Sequence, residues 1–133
     1  MVKIKVRFII QIAGKPVENV QKALEHVLGK LKEETEKFNI VESHIEKPEL
    51  DDKSTLYSGF IEVLAVFKDS THILEFILDY TPTSVEVEEP EEIKLNNSDF
   101  TGILNDFSQN ILNHQSEIRN LRAQIHMLNN SKK

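Results

Sequence analysis

The sequence predicts an α+β fold, with four strands and two helices in a first domain and one long helix after it. Between Lys3 and Ile12, apolar and polar residues alternate with the period of two that a half-buried strand requires. From Val17 to Leu31, apolar residues recur with the spacing of one helix face. Across residues 98–130 they recur at alternating steps of three and four, which is the spacing of a coiled coil. These patterns predict a domain at 1–97 and an oligomerisation helix at 98–133.

A tight turn joins the first strand to the first helix. Gly14 tolerates turn conformations, and Pro16 suits the first helical position because its missing N–H would be unpaired there anyway. The helix is expected to continue to about Lys37. The inner face of the preceding strand is predicted to carry Ile4, Val6, Phe8, Ile10 and Ile12.

Two further strands are predicted after this helix. Residues 38–47 form the second, with Val41 and Ile45 on one face and Ile40 on the other. Residues 56–67 form the third, and apolar residues on both of its faces indicate a central strand. Within it, Gly59 is interpreted as a close-packing or bulge position.

A short second helix and a fourth strand complete the first domain. Asp69 or Ser70 is expected to cap the helix, and Pro82 to end it. Residues 83–88 form the strand. The order strand, helix, strand, strand, helix, strand is the split-βαβ pattern of ferredoxin-like domains. That topology places strand four antiparallel beside strand one, with strand three on the other side of strand one.

This topology predicts a charged and apolar sheet face on the side without helices. Glu86 and Glu88 are expected to lie across from Lys3, Lys5 and Arg7, as opposite-charge cross-strand pairs. The charges therefore neutralise one another on a solvated face or belong to a site for a protein partner. The same face is predicted to hold an apolar group, here named the sheet-face patch: Ile9, Phe60, Leu64 and Val66.

The C-terminal helix, capped by Asn97 or Ser98, carries a heptad seam that predicts a parallel homodimer. Its isoleucines at position a and leucines at the later d positions favour a coiled coil of two parallel helices. Glu117 at g and Arg122 at e have the spacing of an interchain pair. The proximal part, with Phe100 and Ile103, is expected to contact the sheet domain. The predicted interface, named the α3 seam, consists of Leu104, Phe107, Ile111, His114, Ile118, Leu121, Ile125 and Leu128.

Composition and motifs argue against catalysis. The chain has no cysteine, which excludes disulfides and thiolate chemistry and fits a cytoplasmic location. Its net charge of −6 disfavours nucleic-acid binding. No stretch is apolar for the ~18 residues of a membrane span. His114 is either a register-setting polar residue or half of a pH-sensitive or metal-binding pair across the dimer. We expect no catalytic residue, no metal and no cofactor.

An alternative function is ligand binding at the turn formed by Gly14, Lys15, Pro16 and Val17. Helix N-termini attract anions through free N–H groups and the helix dipole, although the turn is needed for connection in any case. The first 90 residues or so resemble the ferredoxin-like superfamily, including the ACT regulatory domains. That resemblance implies a small anionic ligand or amino acid at this turn, at a subunit interface. Through YTPTSVEVEEPE at 80–91, the whole chain also resembles uncharacterised small archaeal-type proteins.

Overall fold

The computed structural model describes residues 3–131, which fall into two compact units divided between Ile93 and Lys94. The first unit contains four strands and two helices, and the second contains one long helix. In chain order the elements are β1 (Ile4–Gly14), α1 (Val17–Glu33), β2 (Phe38–Leu50), β3 (Tyr57–Phe67), α2 (Ser70–Tyr80), β4 (Ser84–Glu89) and α3 (Asn97–Ser131).

The four strands form one antiparallel sheet in the order β2-β3-β1-β4. β1 therefore lies between β3 and β4, as predicted, and β2 and β4 are the edge strands. Inner-face residues of β1 and β3 oppose one another, as in the pairs Phe8 with Val63 and Ile10 with Ile61. All four of these side chains are buried, so the period-two pattern correctly identified the core face. The predicted α+β class is confirmed.

An aromatic cluster fills the core between the sheet and α2. The rings of Phe8 and Phe76 stack with centroids 4.0 Å apart, and the Phe76 and Tyr80 centroids are 4.8 Å apart. The Tyr80 hydroxyl donates a hydrogen bond to Glu34 Oε1 at 2.9 Å, which ties α2 to the segment after α1. Burial, followed by this hydrogen bond, raises the pKa of Tyr80 above its usual range.

A bulge in β2 makes one face assignment wrong. The register with β3 shifts between Ile40 and Glu42, so that Val41 is an extra residue in the ladder. Ile40 consequently lies opposite Ala65 and packs against the core, whereas Val41 is 54% exposed. The sequence predicts the reverse for these two residues, with Val41 on the same face as Ile45 and Ile40 on the other face.

The first two helices begin and end at recognisable residues. Pro16 is the N-cap of α1 rather than its first helical residue, and α1 ends at Glu33, before the predicted Lys37. The Asp69 side chain accepts a hydrogen bond from the Thr71 N–H at 3.0 Å, which confirms one of the two predicted caps of α2.

α3 begins one residue earlier than predicted. The Asn96 side chain accepts a hydrogen bond from the Asp99 N–H at 2.8 Å, and the Asn96 carbonyl accepts one from the Phe100 N–H at 3.1 Å. Asn96 thus caps the helix, in place of the predicted Asn97 or Ser98.

Gly59 permits the close approach of α1 and β2 to β3, which confirms its interpretation as a close-packing position. A Cβ at this residue would lie 2.8 Å from Leu24 Cδ1 and 3.0 Å from the Glu46 carbonyl oxygen. Gly59→Ala is therefore expected to lower the free energy of unfolding by about 1–3 kcal/mol through overpacking. Urea denaturation measures the change.

Gly29→Ala is the matched control for Gly59→Ala. A Cβ at Gly29, within α1, would meet nothing within 4 Å. Removing a helical glycine there is expected to stabilise the protein by about 0.5–1 kcal/mol. Equal unfolding free energies for the two variants would contradict the close-packing role of Gly59.

Candidate assembly surface

α3 is a continuous helix of 35 residues, about 52 Å long at 1.5 Å per residue. Its polar surface is supported by local contacts at helical spacing. Gln109 Nε2 donates to Asn113 Oδ1 at 3.1 Å, and Asn110 Nδ2 donates to the Asp106 carbonyl at 2.9 Å. The predicted helix is confirmed over all of residues 98–130.

The α3 seam is exposed along its length. Because its residues follow the heptad steps, they share one side of the helix. Ile118 is 47% exposed, Leu121 56% and Leu128 61%, and no residue described in α3 is buried. A contiguous exposed apolar stripe is the pattern expected of an interaction surface.

Polar and charged residues accompany the stripe at the expected positions. His114 is exposed and lies between the seam residues Ile111 and Ile118. Glu117 and Arg122, the predicted interchain pair, are exposed as well. The seam geometry thus places one histidine per chain within an otherwise apolar row.

The second candidate surface is the outer face of the sheet, where Arg7 is surrounded by three carboxylates. Its Nε donates to Glu88 Oε1 at 2.7 Å, its Nη1 donates to Glu62 Oε1 at 3.2 Å, and its Nη2 lies 3.9 Å from Glu42 Oε2. These partners belong to β4, β3 and β2, so one guanidinium on β1 links all four strands. The hydrogen bond that Arg7 donates to Glu88 is the main reason that the pKa of Arg7 is raised.

The predicted cross-strand pairing of Arg7 with Glu88 is confirmed. The partner of Lys5 is Glu89, and not Glu86 or Glu88 as predicted. A register shift between Lys5 and Val6 brings Lys5 opposite Glu89, and Lys5 Nζ lies 3.8 Å from Glu89 Oε1. Glu86 lies opposite Arg7 in the ladder. The sequence prediction missed Glu62 and Glu42 because it compared only β1 with β4.

The sheet-face patch is partly covered by its own neighbours. Leu64 lies directly opposite Arg7 and is only 5% exposed. Ile9, Phe60 and Val66 are half-buried. Side chains of the Arg7 cluster thus share this face with the patch.

A protein-family model matches residues 5–131, which is nearly the whole chain. The chain belongs to the MJ0538 family. This family has an archaeal origin, in agreement with the resemblance to archaeal-type proteins. Comparisons with curated proteins and with solved structures found no match.

In this member of the MJ0538 family, the turn predicted to bind a ligand is tied to the loop between β2 and β3. Gly14 ends β1 and Pro16 caps α1, while Lys15 Nζ donates to Thr55 Oγ1 at 3.3 Å. Val17 lines a cleft of about 470 Å³ that lies beside the turn and extends towards Pro48. Ligand binding at this position stays a prediction.

Two further observations concern the described residues 3–131 of this family member. Nowhere in that range do three or more histidine or acidic side chains come together in a group able to hold a metal ion. None of its helices combines the length and apolarity needed to cross a membrane.

Proposed function

We propose that this member of the MJ0538 family is a non-enzymatic dimerisation or scaffolding protein. Two copies of α3 form a parallel two-stranded coiled coil, and each carries a ferredoxin-like domain at its N-terminal end. The observation that supports the proposal is the exposed α3 seam. The absence of cysteine supports a cytoplasmic location for the assembly.

Helix energetics favour a partner for α3. Most helical stability in proteins comes from packing an apolar face rather than from intrinsic propensity. α3 also contains many asparagines, which are weak helix formers. Fully burying one leucine or isoleucine side chain contributes about 1.5–3 kcal/mol. A second copy of the seam therefore supplies the packing that a single α3 lacks.

The sequence along the seam favours a parallel arrangement. Ile111, Ile118 and Ile125 occupy a, while Leu121 and Leu128 occupy the following d positions. In a parallel dimer Glu117 of one copy faces Arg122 of the other, a pair worth about 0.2–1 kcal/mol when exposed. His114 then meets its counterpart across the axis and acts as a register-setting polar residue.

The ferredoxin-like assignment is supported by the strand order. Read from β4, the sheet runs 4-1-3-2, and α1 and α2 each follow a strand in the repeated β-α-β arrangement. Such domains serve many functions, so the proposed role depends on the seam and not on the fold.

Oxidative cross-linking of Leu128→Cys tests the proposal and its orientation. The chain has no cysteine of its own, so the introduced thiol can pair only with the same residue of another copy. In a parallel, in-register dimer the two thiols meet at the d position, and mild oxidation is expected to yield a covalent dimer on a non-reducing gel.

Asn120→Cys is the matched control for the cross-link. Asn120 occupies position c, which points away from the seam, and it is exposed. It is expected to stay monomeric on the gel under the same oxidation. Equal cross-linking of both variants, or of neither, would argue against a parallel α3 pair.

A further inference from the structure

β4 forms an edge of the sheet and presents an uncovered apolar row. Within the described residues 3–131, β1 is its strand neighbour on one side, and its other side ends the sheet. Val85 and Val87 lie opposite Phe8 and Val6, which places them on the inner, helix-covered face. They are nevertheless 43% and 45% exposed, whereas Phe8 and Val6 are completely buried.

The opposite face of β4 is acidic. Glu86 lies across from Arg7, Glu88 accepts the Arg7 hydrogen bond, and Glu89 pairs with Lys5. All six residues of β4 are exposed. The strand thus offers apolar side chains on one face, carboxylates on the other, and an edge that ends the sheet.

β1, the strand that already pairs with β4, shows which residues complement the two faces of β4. Its neighbour β1 alternates apolar residues on the inner face, Val6 and Phe8, with cations on the outer face, Lys5 and Arg7. A strand added at the outer edge of β4 lies beside the same two rows of β4 side chains, the valines on one face and the carboxylates on the other. Opposite-charge cross-strand pairs and apolar pairs are the favourable contacts of such a ladder.

We propose that the outer edge of β4 binds an extended segment of a partner protein, in which apolar residues alternate with lysine or arginine. The segment adds a fifth strand, by the strand-addition mode in which backbone hydrogen bonds give affinity and side-chain rows give specificity. Six residues of β4 accommodate a segment of about 20 Å at 3.3 Å per residue. This interaction is independent of the pairing of α3.

Like charges disfavour a second copy of the chain at this edge. Two β4 strands in antiparallel contact would bring the Glu86 rows together on one face. The other edge strand, β2, carries Glu42 and Glu46 on the corresponding outer face, opposite Leu64 and Phe60. Pairing of β4 with β2 of another copy would therefore also place acid against acid, so a basic partner is favoured.

Binding of a labelled KVKVKVK peptide to the full-length protein tests the proposal by fluorescence anisotropy. Glu86→Lys is expected to raise the dissociation constant of the peptide at least fivefold, because the introduced positive charge repels the lysines of the peptide. Glu49→Lys, an equal charge change at an exposed position of β2, is expected to stay within twofold of the unmodified protein. Equal weakening by both substitutions would overturn the proposal.

Two further peptides separate strand addition from simple charge attraction. KVKPKVK keeps every charge but lacks one strand N–H, and it is expected to bind at least fivefold more weakly than KVKVKVK. EVEVEVE is expected not to bind. Equal affinity of KVKPKVK and KVKVKVK would overturn the proposal.

Hydrogen exchange locates the bound segment. Adding KVKVKVK is expected to slow amide exchange at residues 84–89 and to leave residues 38–50 of β2 unchanged. Protection confined to β2 would overturn the proposal. So would protection of 84–89 that grows with protein concentration in the absence of peptide, since it would indicate self-association through β4.

Discussion

Ile118→Asp is expected to convert the dimer into a monomer at micromolar concentration. Ile118 lies at the centre of the α3 seam, so the substitution buries one unpaired carboxylate per chain at the pairing surface. An uncompensated buried charge costs about 3–5 kcal/mol. A loss of 3 kcal/mol already raises the dissociation constant of the dimer by about 100-fold. Sedimentation velocity measures the result against the mass of one chain, 15.3 kDa.

Asn120→Asp is the control for the added charge. Asn120 is exposed at position c, away from the seam, and its variant is expected to sediment like the unmodified protein. If Ile118→Asp remained dimeric, the interface would lie elsewhere, with the sheet-face patch as the next candidate. A monomeric unmodified protein would reject the proposed function outright.

Phe76→Ala is expected to lower the free energy of unfolding of the first unit by about 3–5 kcal/mol. Phe76 is 2% exposed, and its ring lies within 6.1 Å, centroid to centroid, of four other aromatic rings. Alanine leaves a cavity at the junction of α2 with the sheet, and the neighbouring rings relax only partly into it. Urea denaturation followed by circular dichroism measures the loss.

Leu50→Ala separates core packing from a general loss of apolar surface. Leu50 is 55% exposed at the end of β2, and its truncation is expected to change the unfolding free energy by about 0.5 kcal/mol or less. A loss of less than about 1 kcal/mol in Phe76→Ala would show that the aromatic cluster contributes less than its burial indicates.

The fold was predictable where one pattern had one solution. In β1, strict alternation assigns Val6 and Phe8 to the core. A shift of the register by one residue would move both side chains to the solvent face, so the alternation allows a single arrangement. Position 40 of β2 has no such constraint, because Ile40 and Val41 are adjacent and both apolar. Either can face the core, and a bulge lets the strand bury Ile40 while Val41 points outward. Three consecutive residues able to cap a helix left the start of α3 similarly ambiguous.

The candidate site was predictable to the same degree. Heptad spacing identified the α3 seam because an exposed row at steps of three and four needs only helical geometry. The partners of Arg7 were harder to foresee. Glu42 comes within 3.9 Å of the guanidinium only because the bulge at Val41 places it opposite Leu64, and a bulge leaves no clear mark in the sequence.

The position of Arg7 also bears on how the sheet opens. β4 has only six residues, and a strand so short would ordinarily fray from its neighbours on its own. Its Glu88 shares one guanidinium with Glu62 and Glu42, so detachment of β4 also disturbs the charge balance over β3 and β2. Opening of the sheet at this edge is therefore expected to disturb ion pairs that reach the opposite edge strand.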